Sequence, residues 1–305
     1  MNIGIIGAGS IGLLFSSILS KYHKITLYTR TSEQSEQLNN VGIVFEQEGV
    51  KRIIKIHAEN VSNIHNGHDL FIIAVKQYHI KQLIPSLQKL NSKIPLLFLQ
   101  NGMGHLNHLE DLSNETILLG VVEHGALKES LTSVRHTGKG LTKIAKYKDL
   151  ANKLDQVIHA LHQENFPVIK SYHYKDMLIS KLVINAVINP LTALLNVQNG
   201  ELVTNPYYFK LVHSVFHEIC LVLEISGEKR NQYFQSIVQV CERTSANISS
   251  MLKDVRLNRE TEIEGIVGYL INEAKRNNTS VYHLQFLYHS IKGKKIQRGS
   301  ESCSH

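Results

Sequence analysis

Cysteine is scarce in this chain of 305 residues: Cys220, Cys241 and Cys303 are the only three. Three widely spaced thiols make neither a disulfide framework nor a CxxC metal pair, and they fit a reducing compartment. The 17 histidines show no HExxH or other ligand spacing, so no metal site is expected. No run of eighteen or more apolar residues is present, which argues against a membrane span. The apolar start, Met1 to Lys24, lacks a basic leading segment and is interrupted by regularly placed glycines, unlike a signal peptide. A dense Lys/Arg block with interleaved aromatics is also missing. The nearest approach, Lys292 to Arg298, reads as a solvated tail, and nucleic acid is not an expected partner. Low-complexity linkers and internal repeats are absent too.

What remains is a chain with 43% hydrophobic and 19% charged residues, enough for a packed core. Its net charge of +7 and isoelectric point near 9.1 favour anionic partners without naming one. Up to about Ile169, short apolar runs alternate with amphipathic stretches. The runs are NIGIIG, KITLYT, LFIIAV, PLLFLQ, TILLGVV and, more weakly, LTKIAK; Ile11–Lys21, Ser32–Asn40 and Tyr78–Leu90 are helix candidates. This alternation reads as βαβ units on a parallel sheet, a doubly wound Rossmann-type domain. The Thr- and Gly-rich stretch from Gly125 to Tyr147 is expected to add antiparallel strands. From about Lys175 onward helical periodicity takes over. The expected division is therefore an α/β domain over 1–170 and an all-α domain over 171–305 ending in a short polar tail.

The first apolar run leads into GIIGAGSIG, which sets Gly7, Gly9 and Gly12 in G-x-G-x-x-G register. Gly7 permits the tight turn, Gly9 lets a pyrophosphate approach the backbone, and Gly12 lets helix and strand pack closely. The loop Gly7, Ala8, Gly9, Ser10, Ile11, Gly12 then offers a helix N-terminus, with its unpaired N–H groups, to phosphates. NAD-binding domains place an acid at the end of the second strand to accept from the ribose 2′-OH. Here that position holds Thr29, Arg30 and Thr31. A guanidinium suits a 2′-phosphate, so NADP(H) is preferred; the alternative is Arg30 as a solvated strand-end charge. Two further strand ends carry polar residues: Lys76, and Gln100–Asn101–Gly102.

The segment KLVINAVINP raises a separate question. Lys181, Asn185 and Asn189 recur every fourth residue, and four residues advance a helix by about 400°, so the three share one narrow face. The rest of the circumference is aliphatic, which calls for burial rather than a solvated stripe. An ammonium in apolar surroundings is costly without partners. The face is therefore expected to line a cleft, and Pro190 to bend or interrupt the helix. Beside a nicotinamide, such a lysine can stabilise the oxyanion formed by hydride transfer to a ketone and then protonate it. Further on, Asn247, Ser249, Ser250 and Glu262 form a second polar cluster. Ser250 could bond a carboxylate and Glu262 a hydroxyl or Lys181. Equally, a serine pair often caps a helix, and a glutamate at this place often compensates a helix dipole.

The glycine loop, the QNGMG loop, K-x-x-x-N-x-x-x-N-P at Lys181–Pro190, and S-S-M-x-x-D followed by T-E-I at Ser249–Ile263 together resemble the ketopantoate reductase (2-dehydropantoate 2-reductase) family. The resemblance spans Met1 to about Lys292, and the last two of these elements, at Lys181–Pro190 and Ser249–Ile263, are specific to the family in combination. It implies a cytoplasmic, NADPH-dependent enzyme of pantothenate and coenzyme A biosynthesis that reduces 2-dehydropantoate to (R)-pantoate. Its partner would be a small keto acid, neither nucleic acid nor membrane, with a homodimer as an admitted assembly. By resemblance Lys181 is the general acid, and Glu262 binds the substrate hydroxyl. Asn185, Asn189, Asn199, Ser250 and Asn101 contact substrate. Gly7 to Gly12, Arg30, Lys76 and Asn101 contact cofactor. One departure stands out: His79 occupies the place where the family often has glutamine, three residues after the lysine of the VK loop, which leaves that contact open. Two other readings share many of these features. One is a related two-domain reductase of another 2-oxo or β-hydroxy acid; the other is a non-catalytic NADP-binding sensor.

Overall fold

The computed structural model describes residues 1–300. The chain forms two compact units: Met1–Gln100 with His105–Met177, and Asn101–Gly104 with the chain from Leu178 on. Sequence placed the division near Ser171; the compact units divide inside a long helix, between Met177 and Leu178.

The first unit runs β1 (Asn2–Ile6), α1 (Ser10–Leu19), β2 (Lys24–Thr29), α2 (Ser32–Val41), β3 (Ile43–Gln47), β4 (Val50–Ile54), β5 (His57–Asn60) and β6 (Leu70–Ile73). It continues through α3 (Ile80–Leu87), β7 (Leu96–Phe98), β8 (Thr116–Val122), β9 (Gly125–Lys128), β10 (Ser133–Gly138), β11 (Thr142–Asp149), α4 (Leu154–Leu161) and β12 (Val168–Lys170). Eight strands make one sheet in the order β12-β11-β8-β7-β6-β1-β2-β5, parallel except where β11 runs antiparallel to β8. The central strands are near-continuous aliphatic runs because both faces are covered; all of β6, β7 and β8 is buried. Ile3, Ile5, Leu13, Phe15, Leu27, Leu97 and Phe166 belong to this core. Strand order reverses at β1, with β2 on one side and β6 on the other. The loop after β1 therefore lies at a topological switch point, where open α/β sheets bind ligands.

Strands β3 and β4, between α2 and β5, were not foreseen; with β10 and β9 they form a second, four-stranded sheet in the order β4-β3-β10-β9. Its strands are short and amphipathic, β4 reads VKRII with four of five residues exposed, and no long apolar run announces them. The expected antiparallel strands after Gly125 do form, with β9 antiparallel to β10 and β11 antiparallel to β8.

The second unit is helical apart from connections: α5 (Tyr174–Leu195), whose first residues belong to the first unit, α6 (Glu201–Thr204), α7 (Pro206–Val222), α8 (Gly227–Arg243), α9 (Ser250–Arg256), a π-helical turn (Glu264–Gly268), α10 (Tyr269–Arg276) and α11 (Tyr282–Ser300). Local chemistry fixes several starts. Asn205 accepts from the Tyr207 and Tyr208 N–H groups ahead of α7, with Pro206 at its first position, and Ser249 accepts from Leu252 N–H ahead of α9. The buried Glu218 on α7 takes the N–H groups of His283 and Leu284, capping α11 from another helix.

Two expectations need correction here. Helix α5 continues through Pro190 to Leu195 without interruption. Thr192 lies in the same turn, with its hydroxyl on the Ile188 and Asn189 carbonyls. Second, the basic stretch Lys292–Arg298 continues α11 rather than forming a tail. Helix α5 is also long and apolar enough by composition to cross a membrane, with a mean hydropathy of 1.7 over an 18-residue window, and 61% of that window is buried inside the protein, as in a core helix. Residues 301–305, with Cys303 and the end of the expected polar tail, lie outside the described residues.

Candidate active site

In the first unit the glycine loop joins β1 to α1 at the switch point. Gly7 has φ +109°, a conformation closed to most side chains. A Cβ on Gly12 would stand 1.7 Å from the Gly7 carbonyl oxygen, so helix and loop meet there backbone to backbone. A Cβ on Gly9 would meet nothing within 4 Å, so the space above the loop is open at the first turn of α1. Gly9 is the N-cap and has no side chain to satisfy the first N–H groups of α1, those of Ser10, Ile11 and Gly12; no acid lies in that turn. The arrangement is a cradle of free donors at the positive end of a helix, and it fits a dinucleotide pyrophosphate.

Two residues not foreseen from sequence approach this loop. Lys128, at the end of β9, donates from Nζ to the Ala8 carbonyl at 2.9 Å, and its N–H donates to Ser10 Oγ at 3.2 Å. Gln34 of α2 donates to the same Ala8 oxygen at 3.0 Å. Only the fold brings Lys128 to Ala8, 120 residues away, and nothing in GALKES signals it.

Arg30 stands exposed at the end of β2, and its Nη1 donates to His79 Nε2 at 3.2 Å. The two residues singled out at separate strand ends are thus neighbours. Lys76 is half-buried and immediately precedes the short 3-10 turn Gln77–His79 that follows β6, its carbonyl receiving the His79 N–H. Gln100 is buried and donates to the Ile73 and Val75 carbonyls, which ties the end of β7 to the end of β6.

In the second unit Lys181, Asn185 and Asn189 follow one another along α5. Lys181 and Asn185 are partly buried and Asn189 is buried, while Leu182, Val183, Ala186 and Val187 are fully packed. The spacing argument therefore meets a helix that is buried around most of its circumference. Glu262 is buried, and one of its oxygens, Oε2, accepts from Asn101 Nδ2 at 3.0 Å. The QNGMG loop lies flush against the following π-helical turn: a Cβ on Gly102, at φ +78°, would be 2.2 Å from the Gly265 carbonyl oxygen. This joins two sequence motifs 161 residues apart.

The Ser249–Ser250 pair divides its work. Ser249 is buried, caps α9 and receives the Thr192 hydroxyl at 2.7 Å; Ser250 is exposed at the first position of α9. Asn199 is buried, with its Nδ2 on Thr244 Oγ1 at 2.9 Å, while its Oδ1 meets no hydrogen-bond partner. The remaining candidate, Asn247, is exposed and its backbone carbonyl receives the Asn199 N–H. Burial pushes the Cys220 and Cys241 thiols up to about 11 and about 12, which leaves them unreactive near neutrality.

The ketopantoate reductase PanE/ApbA family model matches residues 3–149, and the model of the family's C-terminal part matches residues 173–295. The chain belongs to the ketopantoate reductase family. Among its relatives is the 2-dehydropantoate 2-reductase of Bacillus subtilis strain 168, 40% identical over 293 residues, which cover 96% of this chain and 97% of that one. A crystal structure described as a probable 2-dehydropantoate 2-reductase, PanE, from the same species superposes with a TM-score of 0.85 at 38% identity, covering 96% of this chain and all of that one. A D-mandelate dehydrogenase solved with NADH and anilino(oxo)acetate reaches a TM-score of 0.89 at 22% identity, over 97% and 99% of the two chains, a likeness of fold alone. These ketopantoate reductase and dehydrogenase folds agree with the α/β-plus-helical architecture read from the sequence.

Proposed function

We propose that this chain reduces 2-dehydropantoate to (R)-pantoate with NADPH, a step of pantothenate and coenzyme A synthesis. The observation that carries the reading is the buried Glu262 held by Asn101, in a family member whose α5 presents Lys181, Asn185 and Asn189 in line. The open cradle over Gly9 supports the cofactor's pyrophosphate, and Arg30 with His79 supports NADP(H) through its 2′-phosphate. When bound, NADPH supplies the hydride. Ala8, Ser10 and Ile11 complete the loop around the phosphates, and the ammonium groups of Lys76 and Lys128 add positive charge to the same strand ends.

The chain's own chemistry is then proton and charge handling. The Lys181 ammonium donates a hydrogen bond to the ketone oxygen, gains strength as negative charge develops there, and gives up its proton to form the alcohol. Asn185 and Asn189 orient the amine and substrate without adding charge. Glu262 accepts from the substrate hydroxyl. Asn101 occupies its other oxygen and so fixes the carboxylate plane; the same residue faces the cofactor in this proposal. Ser250, exposed at the first turn of α9, bonds the substrate carboxylate, whose charge also suits a helix N-terminus. Asn199 spends one Nδ2 N–H on Thr244, and its second N–H and its unpartnered Oδ1 remain for substrate.

A cytoplasmic location and a two-copy assembly belong to the same proposal. A dimeric ketopantoate reductase from Staphylococcus aureus shares the fold, with a TM-score of 0.80 and 22% identity. The deciding experiment follows NADPH absorbance at 340 nm with ketopantoate and with a panel of other 2-oxo acids. Preferred turnover of ketopantoate supports the assignment. Preference for another acid sinks it in favour of a related reductase, and binding of NADPH without turnover of any acid would leave a sensor.

A further inference from the structure

The π-helical turn Glu264–Gly268 begins two residues after Glu262, and the Glu262 carbonyl already receives the Ile266 N–H at 3.1 Å. A π-helical turn is a wider, less favoured winding of the chain, and it persists where the surroundings hold it. The sequence of this one, EGIVG, has two glycines and no strong helix former after Glu264, so propensity does not hold it. Side chains do. Tyr288 of α11 donates its hydroxyl to Glu264 Oε2 at 2.5 Å, and Lys292, one turn further along α11, meets the same oxygen at 3.1 Å. A Cβ on Gly268 would come within 2.8 Å of Glu264 Oε1, so the glycine is the seat that lets this carboxylate fold back over its own turn. Burial alone would raise the Glu264 carboxyl, but the tyrosine hydroxyl and the lysine ammonium outweigh it and hold the group below its ordinary value. The turn is also met by Gly102, where an added Cβ would stand 2.2 Å from the Gly265 carbonyl oxygen, and just before it Asn101 holds Glu262.

We propose that Glu264, gripped by Tyr288 and Lys292, is a positioning residue that fixes the π-helical turn and thereby aims Glu262 at the substrate hydroxyl; this rests on the assignment of Glu262 as the hydroxyl-binding carboxylate. The three residues touch neither substrate nor cofactor. Their action is geometric. If α11 releases Glu264, the turn is free to rewind as an α-helix, and rewinding rotates Glu262 away from Asn101. A misplacement of this kind near a binding group weakens substrate contacts strongly. The Lys292–Glu264 pair is half-exposed and screened by water, so the tyrosine hydrogen bond is the stronger arm.

The test uses the full chain with Tyr288→Phe, which removes one oxygen, Glu264→Gln, and Lys292→Gln. Steady-state kinetics in both substrates and thermal melting are measured for each. Tyr288→Phe and Glu264→Gln should raise KM for ketopantoate roughly tenfold, as expected for a lost charge-assisted bond acting on one binding contact, with KM for NADPH unchanged. Lys292→Gln should do so by a smaller factor, and Lys292→Arg should restore the wild-type value. In a Glu262→Ala background, Tyr288→Phe should add nothing further to KM, because its only route to substrate is gone. A lowered melting temperature with unchanged KM for ketopantoate would mean a purely structural clamp and overturn the proposal. An equal further rise in the Glu262→Ala background would overturn it as well. If the wild-type protein itself does not turn over ketopantoate, the functional assignment fails first, and that outcome is separate from either result.

Discussion

Two glycines of one loop should respond in opposite ways to the same added methyl group. At Gly9 the backbone is extended, φ −83° and ψ −169°, and a Cβ would enter open space. Gly9→Ala should therefore leave stability within about 0.5 kcal/mol of wild type, as for a surface change that breaks no contact. If the space is the pyrophosphate cradle, the methyl group displaces a phosphate from one backbone donor. A hydrogen bond to a charged group contributes about 1.5–3 kcal/mol, which is roughly a 10- to 150-fold rise in Kd. At Gly12 the same methyl group would stand 1.7 Å from the Gly7 carbonyl oxygen, inside any tolerable contact. Relief requires α1 to move off β1. Overpacking of this kind costs about 1–3 kcal/mol or more, and at about 2–4 °C per kcal/mol the melting temperature should fall by several degrees. The assay pairs thermal melting by circular dichroism with fluorescence titration of NADPH. A folded Gly9→Ala protein that binds NADPH with wild-type affinity would refute the cradle. A Gly12→Ala protein with the wild-type melting temperature would refute the packing argument.

Other expectations concern the remaining parts of the site. Lys181→Ala should lower kcat by roughly 10²-fold or more in the 340 nm assay if it is the general acid; unchanged steady-state constants would remove that role. Glu262→Ala should act mainly on KM for ketopantoate, since a hydroxyl contact is made in ground and transition states alike, and a loss confined to kcat would contradict it. Arg30→Ala should weaken NADPH by roughly tenfold with little change for NADH, measured by titration of both; equal losses would end the 2′-phosphate assignment. His105 is 1% exposed, and burial, with His108 second, pushes its pKa from 6.5 down to about 4. The folded state keeps it neutral while the unfolded chain protonates near pH 6.5. Its contribution is thus complete above that pH and falls away as pH drops towards 4, by about 3 kcal/mol at most. Urea unfolding at several pH values should show a shallower loss in His105→Leu than in wild type, and parallel curves would exclude the imidazole as the source.

The sequence by itself determined whatever depends on near neighbours along the chain. The glycine register, the aliphatic strands, the capped helices and the fourfold spacing on α5 are local patterns of period or conformation, so each was readable where it stood. The arginine at the end of β2 was legible for the same reason: a fixed offset from a glycine loop puts it at a known strand end. Only the tertiary structure decided which distant groups meet. It set Asn101 on Glu262, Arg30 on His79, Lys128 on the Ala8 carbonyl and Tyr288 on Glu264. None of these pairs leaves a mark at a characteristic spacing, because a hydrogen bond needs only two suitable atoms within about 3 Å. The same holds for the small sheet: β3 and β10 pair across nearly ninety residues of chain, and neither strand is apolar enough to announce a partner. Pro190 shows the other side of that limit. Its local tendency is to interrupt a helix, yet α5 runs on to Leu195 because packing of a nearly all-apolar helix outweighs the loss of one backbone hydrogen bond.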